Sequence, residues 1–176
     1  MRQLKPIVLL LTIVLFSSFT AFELIGFKVK GQDYAVNFKG KRVEGAFKGL
    51  KANISFNEAN PEQSKIIASI DVNTINTGSG MKDGHAKSDN ALGAEKYPTI
   101  TFESSSVVKK GAGYEATGKL TIKGVTKVIQ MPFTYENKGN EGVFKGHFSI
   151  VPADYNITRM GTPDNIDVDL NVPVTK

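Results

Sequence analysis

Residues 81–102 read MKDGHAKSDNALGAEKYPTITF, and this stretch interrupts the pattern that governs the rest of the chain. Four of its residues are spaced so that they would share one face of a helix, namely Met81, His85, Ser88 and Leu92. Gly93 follows directly and is able to adopt the left-handed conformation that ends many helices. The stretch therefore predicts one short α-helix that extends to Leu92.

After this helix the sequence returns to extended structure. Tyr97 precedes Pro98, which disfavours a helical backbone at the residue before it, and residues 99–103 alternate as a strand does. The same alternation of apolar and polar residues recurs along most of the chain. Strands are predicted over residues 27–30, 34–39, 43–49 leading into 52–56, 65–75, 98–109, 114–123, 126–136, 142–151 and 166–174.

These segments predict an all-β domain. Roughly eight or nine antiparallel strands, each with one apolar face, have to bury those faces together. Two packed sheets or a closed barrel would do so, and the alternation alone does not choose between them. The interior of an eight-stranded barrel is either filled by side chains or holds one small ligand.

The first 22 residues are predicted to be a secretory signal peptide. Two basic residues precede an apolar run over residues 7–16, and small residues follow it. An uncleaved membrane anchor is the alternative, because Phe19 fits poorly before a cut after Ala21, although the run is shorter than the roughly 20 residues of a spanning helix. The prediction is a domain over residues 23–176 that is periplasmic or secreted.

Composition excludes several classes of protein. The chain has no cysteine, so disulfides, zinc–thiolate sites and thiol catalysis are impossible. Without residues 1–22, the chain keeps 20 basic and 17 acidic residues, a net charge of +3. The basic residues are scattered, whereas nucleic-acid binding usually needs a clustered basic surface. No nucleic-acid partner is therefore expected.

Three segments are similar to signatures of a known family, namely Lys82–His85 with Ser88–Asp89, Tyr97–Ser104, and Tyr114–Thr126. They resemble, at the expected separation, the YceI-like family of secreted bacterial proteins. The resemblance covers about residues 27–174. It implies an extended, antiparallel, eight-stranded lipocalin-like β-barrel with one short α-helix. It also implies an apolar tunnel that binds a polyisoprenoid or similar amphipathic lipid. We expect the lipid of this chain to be of the polyisoprenoid or fatty-acyl type, bound without catalysis and without a cofactor.

The chain departs from this family in the helical stretch. Family members often carry Arg-Asp-x-His-Leu where this chain has Lys82 to Ala86, and bulky aromatic residues where it has residues 90–94. Smaller side chains here would widen the mouth of the cavity or change the ligand. The departure therefore bears on the identity of the ligand far more than on the fold.

The candidate ligand-binding residues are the apolar side chains on the inward faces of the strands, since core and ligand lining coincide in a small barrel. Those predicted to line the cavity are Phe38, Phe47, Phe56, Ile70, Ile100, Phe102, Leu120, Phe133 and Phe148.

Three polar residues are candidates for the end of the barrel that meets the lipid headgroup. Asp83 and His85 lie two positions apart and so point to different sides of a helix, which argues against a metal site; His85 is expected to be a packed, hydrogen-bonded histidine. Arg159 would pair with an anionic headgroup, because a guanidinium binds phosphate through two hydrogen bonds. A salt bridge at the barrel end is the alternative for Arg159.

Two other functions stay open. The first is a lipid-modifying enzyme, which would need a nucleophile–base set or paired carboxylates that the sequence does not display. The second is a ligand-free structural or protein-interaction module whose barrel is filled by its own side chains. A homodimer is also predicted, because an edge strand left open by an incomplete barrel invites pairing.

Overall fold

The structure is a computed structural model that describes residues 25–176. The predicted signal peptide over residues 1–22 lies outside the described residues. The elements are β1 (Ile25–Val29), β2 (Ala35–Gly40), β3 (Val43–Phe47), β4 (Leu50–Phe56), β5 (Lys65–Asp71), α1 (Gly80–Lys87), β6 (Thr99–Lys110), β7 (Gly113–Ile122), β8 (Val125–Lys138), β9 (Glu141–Ile150) and β10 (Ile166–Thr175).

The strands form one closed antiparallel barrel. β1 and β2 act as a single interrupted strand, and so do β3 and β4, because β1 pairs with β4 while β2 pairs with β3. Strands β4 to β10 pair in chain order, and β10 then pairs with both β2 and β1. The ring therefore has eight strands, which confirms the predicted fold and decides for the barrel over two packed sheets.

The long strands β6 to β9 are joined by two-residue turns. Each turn contains a glycine with a positive φ, namely Gly111 (59°), Gly124 (73°) and Gly139 (76°). Glycine reaches this left-handed region without the steric cost that a Cβ would impose. The glycines thus allow tight hairpins in the gaps between the predicted strands.

The break between β3 and β4 is held by side chains from elsewhere. The Thr74 hydroxyl oxygen accepts hydrogen bonds from the backbone N–H groups of Gly49 (2.9 Å) and Lys48 (3.2 Å). The Leu50 N–H donates to the Tyr34 hydroxyl at 3.1 Å. These bonds satisfy backbone donors that have left the strand ladder, so the barrel bends here without buried, unpaired amides.

The strand predicted over residues 65–75 ends earlier, at Asp71. The Asp71 carboxylate accepts a hydrogen bond from the Asn73 N–H at 2.9 Å and caps a single 3-10 turn over Val72–Thr74. Aspartate side chains favour such local turns over a continuing strand. The chain then runs across the barrel end, where Asn76 pairs with Ala46 of β3.

The predicted helix is present but shorter than expected, since it ends at Lys87 and not near Leu92. Ser88 has an extended backbone, and its hydroxyl lies 2.6 Å from the His85 carbonyl oxygen and 2.7 Å from Asn90 Oδ1. Serine and asparagine side chains compete in this way with helical hydrogen bonds. Gly93 does adopt a positive φ (62°), but there it closes a turn that follows the helix.

None of the helices within residues 25–176 is both long enough and apolar enough to span a membrane. The edge strand on which the predicted homodimer rests is paired in these residues, because β1 closes the ring against β10. The homodimer stays a prediction, but an open edge strand no longer supports it.

Candidate functional site

The barrel encloses an apolar cavity of about 410 Å³. Its wall consists of inward-facing side chains from the strands, because alternate residues of a strand point to opposite faces. Eight of the nine residues predicted to line the cavity do so, namely Phe38, Phe47, Ile70, Ile100, Phe102, Leu120, Phe133 and Phe148. Their contact with a ligand stays a prediction.

One end of the barrel is closed by a cluster of aromatic rings, which we call the aromatic plug; its members are Phe27, Phe56, Tyr114, Phe133, Tyr135 and Phe144. Their ring centroids lie 4.6–5.9 Å apart, mostly edge to face. Such pairs contribute about 0.5–1.5 kcal/mol beyond the burial of their area. The plug therefore forms a rigid floor beneath the cavity.

Phe56, the ninth predicted residue, lies in this plug and does not line the cavity. It is 1% exposed and makes ring contacts with Tyr114, Phe133, Tyr135 and Phe144. Its prediction as a lining residue is wrong because alternation gives the face of a strand but not the height along the barrel. Phe56 is the last residue of β4 and so lies at the closed end.

Tyr135 adds a polar group to the plug. Its hydroxyl is buried and has no hydrogen-bond partner within the described part of the chain. Burial raises the pKa of the phenol above its ordinary value of 10.0, and the charge of Glu58 adds to this shift. The hydroxyl is thus held neutral, as its surroundings require.

The other end of the cavity is bordered by three elements that are distant in sequence. The turn between β2 and β3 brings Arg42, helix α1 brings Lys82, His85 and Ala86, and the connection between β9 and β10 brings Arg159. Arg159 is half-buried, whereas Arg42, Lys82 and His85 are exposed. We call this end the mouth.

Asp83, the third predicted headgroup residue, does not line the cavity. Its Oδ1 accepts hydrogen bonds from both the N–H and the hydroxyl of Thr77, each at 2.7 Å. The hydroxyl bond, and then the N–H bond, hold the pKa of the Asp83 carboxyl below its ordinary value of 3.8. Asp83 therefore ties the start of α1 to the segment before it, which helps to position the mouth.

This tie gives the first prediction. Because the pKa of Asp83 is lowered in the folded protein, the hydrogen bonds between Asp83 and Thr77 stabilise the fold at pH values above the ordinary pKa. This stabilisation is lost as the pH falls through the lowered pKa. We expect Thr77→Val to raise the pKa of Asp83 part of the way back, since the N–H donor stays. A carboxyl NMR titration measures it. Thr162→Val is the matched control at the mouth, and an unmoved Asp83 pKa in Thr77→Val would contradict the assignment.

His85 is at the mouth, but it is not the packed, hydrogen-bonded histidine that the sequence predicts. Its side chain is exposed and forms no ion pair with a carboxylate of residues 25–176. Met81, on the same predicted face, is 75% exposed. The reason is that α1 lies across the barrel end and not in its wall. No cluster of three or more potential metal-binding side chains occurs among residues 25–176.

A row of polar side chains on the outer wall joins β9 to β10. His147 Nδ1 lies 2.7 Å from Asp169 Oδ1, and the Ser149 hydroxyl donates to Asp167. Although serine, histidine and aspartate are all present, the serine is bonded to its own aspartate and not to the histidine. The row is exposed and lies on the opposite face of the wall from the cavity.

Sequence reasoning missed Arg42 and Lys82 as residues of the mouth. The sequence predicts the first hairpin turn at Gly40–Lys41, but Gly40 pairs with Val43 and the turn is Lys41–Arg42. The alternation of apolar and polar residues at Val36 and Phe38 continues as far as Gly40. Extending the predicted strand to that residue would have placed the turn at Lys41–Arg42. Nothing in the sequence marked Lys82 as a residue of the mouth except its position one helical turn before Ala86.

The comparisons with known proteins agree with this architecture. The sequence profile of the YceI-like domain matches residues 24–174. Protein YceI of Salmonella newport is 31% identical over 156 residues, which cover 82% of this chain and 82% of that protein. BcnA of Burkholderia cenocepacia has a crystal structure that superposes with a TM-score of 0.78 at 28% identity, over 84% of this chain and 99% of that one.

A more distant structure has the same fold. It is a polyisoprenoid binding domain from Saccharophagus degradans, with a TM-score of 0.61 at 16% identity, over 87% of this chain and 99% of that one.

Proposed function

This chain belongs to the YceI-like domain family, and we propose that it binds an amphipathic lipid of the polyisoprenoid or fatty-acyl type in the barrel cavity. We propose further that it does so as a carrier or sequestering protein in the periplasm, after removal of residues 1–22.

The observation that carries this proposal is the cavity itself. A volume of about 410 Å³ lies within the range that small-molecule sites occupy. The wall is apolar from the aromatic plug to the mouth, and charged side chains border the mouth. This division into an apolar interior and a polar entrance matches a ligand that has an apolar chain and a polar end.

Burial supplies the free energy of binding. Each CH₂ group that is removed from water contributes about 0.8 kcal/mol, so a long chain binds without many polar contacts. The plug rings limit how far the chain can enter. The polar end of the ligand would then stay at the mouth, beside α1.

The likeness to the Saccharophagus degradans domain supplies a hypothesis about the ligand, since that domain is described as binding a polyisoprenoid. At 16% identity the likeness shows the fold alone. The proposal for this chain therefore rests on its own cavity, and the class of the lipid is a matter for experiment.

The two alternatives fare differently. A barrel filled by its own side chains would leave no cavity of this size, so the cavity favours a ligand-binding protein over a ligand-free module. An enzyme would need a reactive group inside the cavity. Among the described residues that line the cavity, the one histidine is His85, and it lies at the exposed mouth and not in the interior.

The second prediction is that the natively purified protein carries a lipid. Extraction with organic solvent and mass spectrometry are expected to give a stoichiometric prenyl-chain or fatty-acyl species. The intact mass of the protein in the same preparation shows whether residues 1–22 have been removed. A clean extract, repeated after incubation with membrane lipids, would overturn the proposal in favour of a ligand-free module.

A further inference from the structure

The charges at the mouth of the cavity are all of one sign. Arg42, Lys82 and Arg159, which we call the cationic rim, come from the β2–β3 turn, from α1 and from the β9–β10 connection. No aspartate or glutamate is among the residues of the described chain that line the cavity. A ligand in this cavity therefore meets positive charge, uncompensated by the wall, at one end only.

Six lysines within residues 25–176 form ion pairs with carboxylates, whereas the three cations of the rim do not. Lys30 pairs with Glu141 at 2.7 Å and Lys65 with Glu103 at 2.8 Å, both on the outer surface. Lys145, which also borders the cavity, lies 3.7 Å from Glu136. Within residues 25–176, no ion pair includes a member of the cationic rim.

The carboxylate that would most easily neutralise the rim is engaged elsewhere. Asp83 follows Lys82 directly, but its Oδ1 accepts two hydrogen bonds from Thr77. It also lies outside the cavity lining. The Asp83 carboxylate is thus bound by Thr77 and pairs with no member of the rim.

Arg42 is held at the mouth at a cost to the backbone. Its φ is +68°, a conformation that is uncommon for residues other than glycine, asparagine and aspartate. Lys123 shares this conformation, but its Nζ donates a hydrogen bond to the Asn156 carbonyl oxygen at 2.8 Å. Residues held in such conformations cluster at functional sites, and of these two only Arg42 borders the cavity.

We propose that the cationic rim binds the anionic end, a phosphate or a carboxylate, of the amphipathic lipid whose chain fills the cavity; this rests on the proposed function and specifies its ligand. The guanidinium groups of Arg42 and Arg159 match the geometry of either oxyanion. Charge-assisted hydrogen bonds of this kind are roughly twice as strong as neutral ones. The rim thereby fixes both the orientation of the lipid and the class of its headgroup.

The test compares probes that share one chain and differ only at the end. Dodecyl phosphate, dodecanoate and dodecanol are titrated into the delipidated protein, and dissociation constants are measured by calorimetry at low and at high salt. We expect either anion to bind at least about tenfold more tightly than the alcohol at low salt. The difference should shrink as salt rises, because the rim is partly exposed and is therefore screened.

Two double variants locate the effect. Arg42→Gln with Arg159→Gln is expected to bring the affinity of the two anions close to the affinity that dodecanol has for the same variant. Lys51→Gln with Lys127→Gln is the matched control, since it removes the same charge from exposed positions outside the cavity lining. The control is expected to keep the preference for the anions.

The possible outcomes distinguish a failure of the headgroup site from a failure of the proposed lipid binding. Equal binding of all three probes would overturn the cationic rim as a headgroup site but leave lipid binding intact. A preference that survives in the Arg42→Gln/Arg159→Gln variant would also overturn it. Displacement of dodecyl phosphate by inorganic phosphate would show an anion site that does not need the chain, again against the proposal. If no probe binds at all, the proposed function itself fails.

Discussion

Phe56→Ala is expected to lower the free energy of unfolding by about 3–5 kcal/mol, at the upper end of the effects that single core substitutions have. Phe56 is 1% exposed and contacts four other aromatic rings of the plug. Removing the ring opens a void that the rigid barrel is unable to close. The lost burial and the lost edge-to-face contacts add to the cost of that void. Equilibrium unfolding in denaturant measures the change.

Phe148→Ala is the matched control for this prediction. It deletes the same atoms, but Phe148 is half-buried and already borders the cavity, so its removal leaves fewer lost contacts. We expect it to cost only about 1–2 kcal/mol. Equal destabilisation by the two variants would show that the plug is not a distinct, tightly packed part of the barrel.

The inward faces of the strands could be read from the sequence with high accuracy. Alternation placed Phe102, Leu120 and Phe148 on the faces that line the cavity, because the period of a strand is two residues throughout. It failed for Phe56, since the period carries no information on height along the barrel axis. Height depends on the register between strands, which is a long-range property of the pairing.

Closure of the barrel was beyond the reach of the sequence as well. It depends on the interruption between β1 and β2, which lets β10 pair first with β2, through Asn171 and Ala35, and then with β1, through Val174 and Val29. The sequence predicts β1 and β2 as two separate short strands and does not reveal that both pair with the same neighbouring strand, β10. The eight-stranded ring was accessible only through the family resemblance.

The mouth was the least predictable part, for a physical reason. It is built from turns and from the end of a helix, where local hydrogen bonds compete on nearly equal terms. Ser88 ended α1 before Leu92, and a shift of one residue in the first hairpin turn brought Arg42 to the cavity. Both changes are small in sequence, but together they determine which side chains meet the polar end of a ligand.

The wall of the cavity has one patch of small side chains that offers a direct test of the proposed function. Ala68 of β5 pairs with Ala52 of β4 on one side and with Phe102 of β6 on the other. All three line the cavity. A larger side chain at Ala68 would occupy the space that we assign to the lipid chain, next to the ring of Phe102.

Ala68→Phe is therefore expected to reduce lipid uptake by more than about tenfold, since it fills the volume in which roughly 0.8 kcal/mol per CH₂ is otherwise gained. The fold should persist, because overpacking destabilises a core that is already full, whereas here the new ring enters an open cavity. Uptake from vesicles and thermal unfolding measure the two effects. Ile67→Phe is the matched control, since Ile67 precedes Ala68 on the same strand but points outward and is 45% exposed. If the Ala68→Phe variant is folded and still takes up lipid as the control does, the lipid does not occupy the barrel, because no ligand can share the space of that ring.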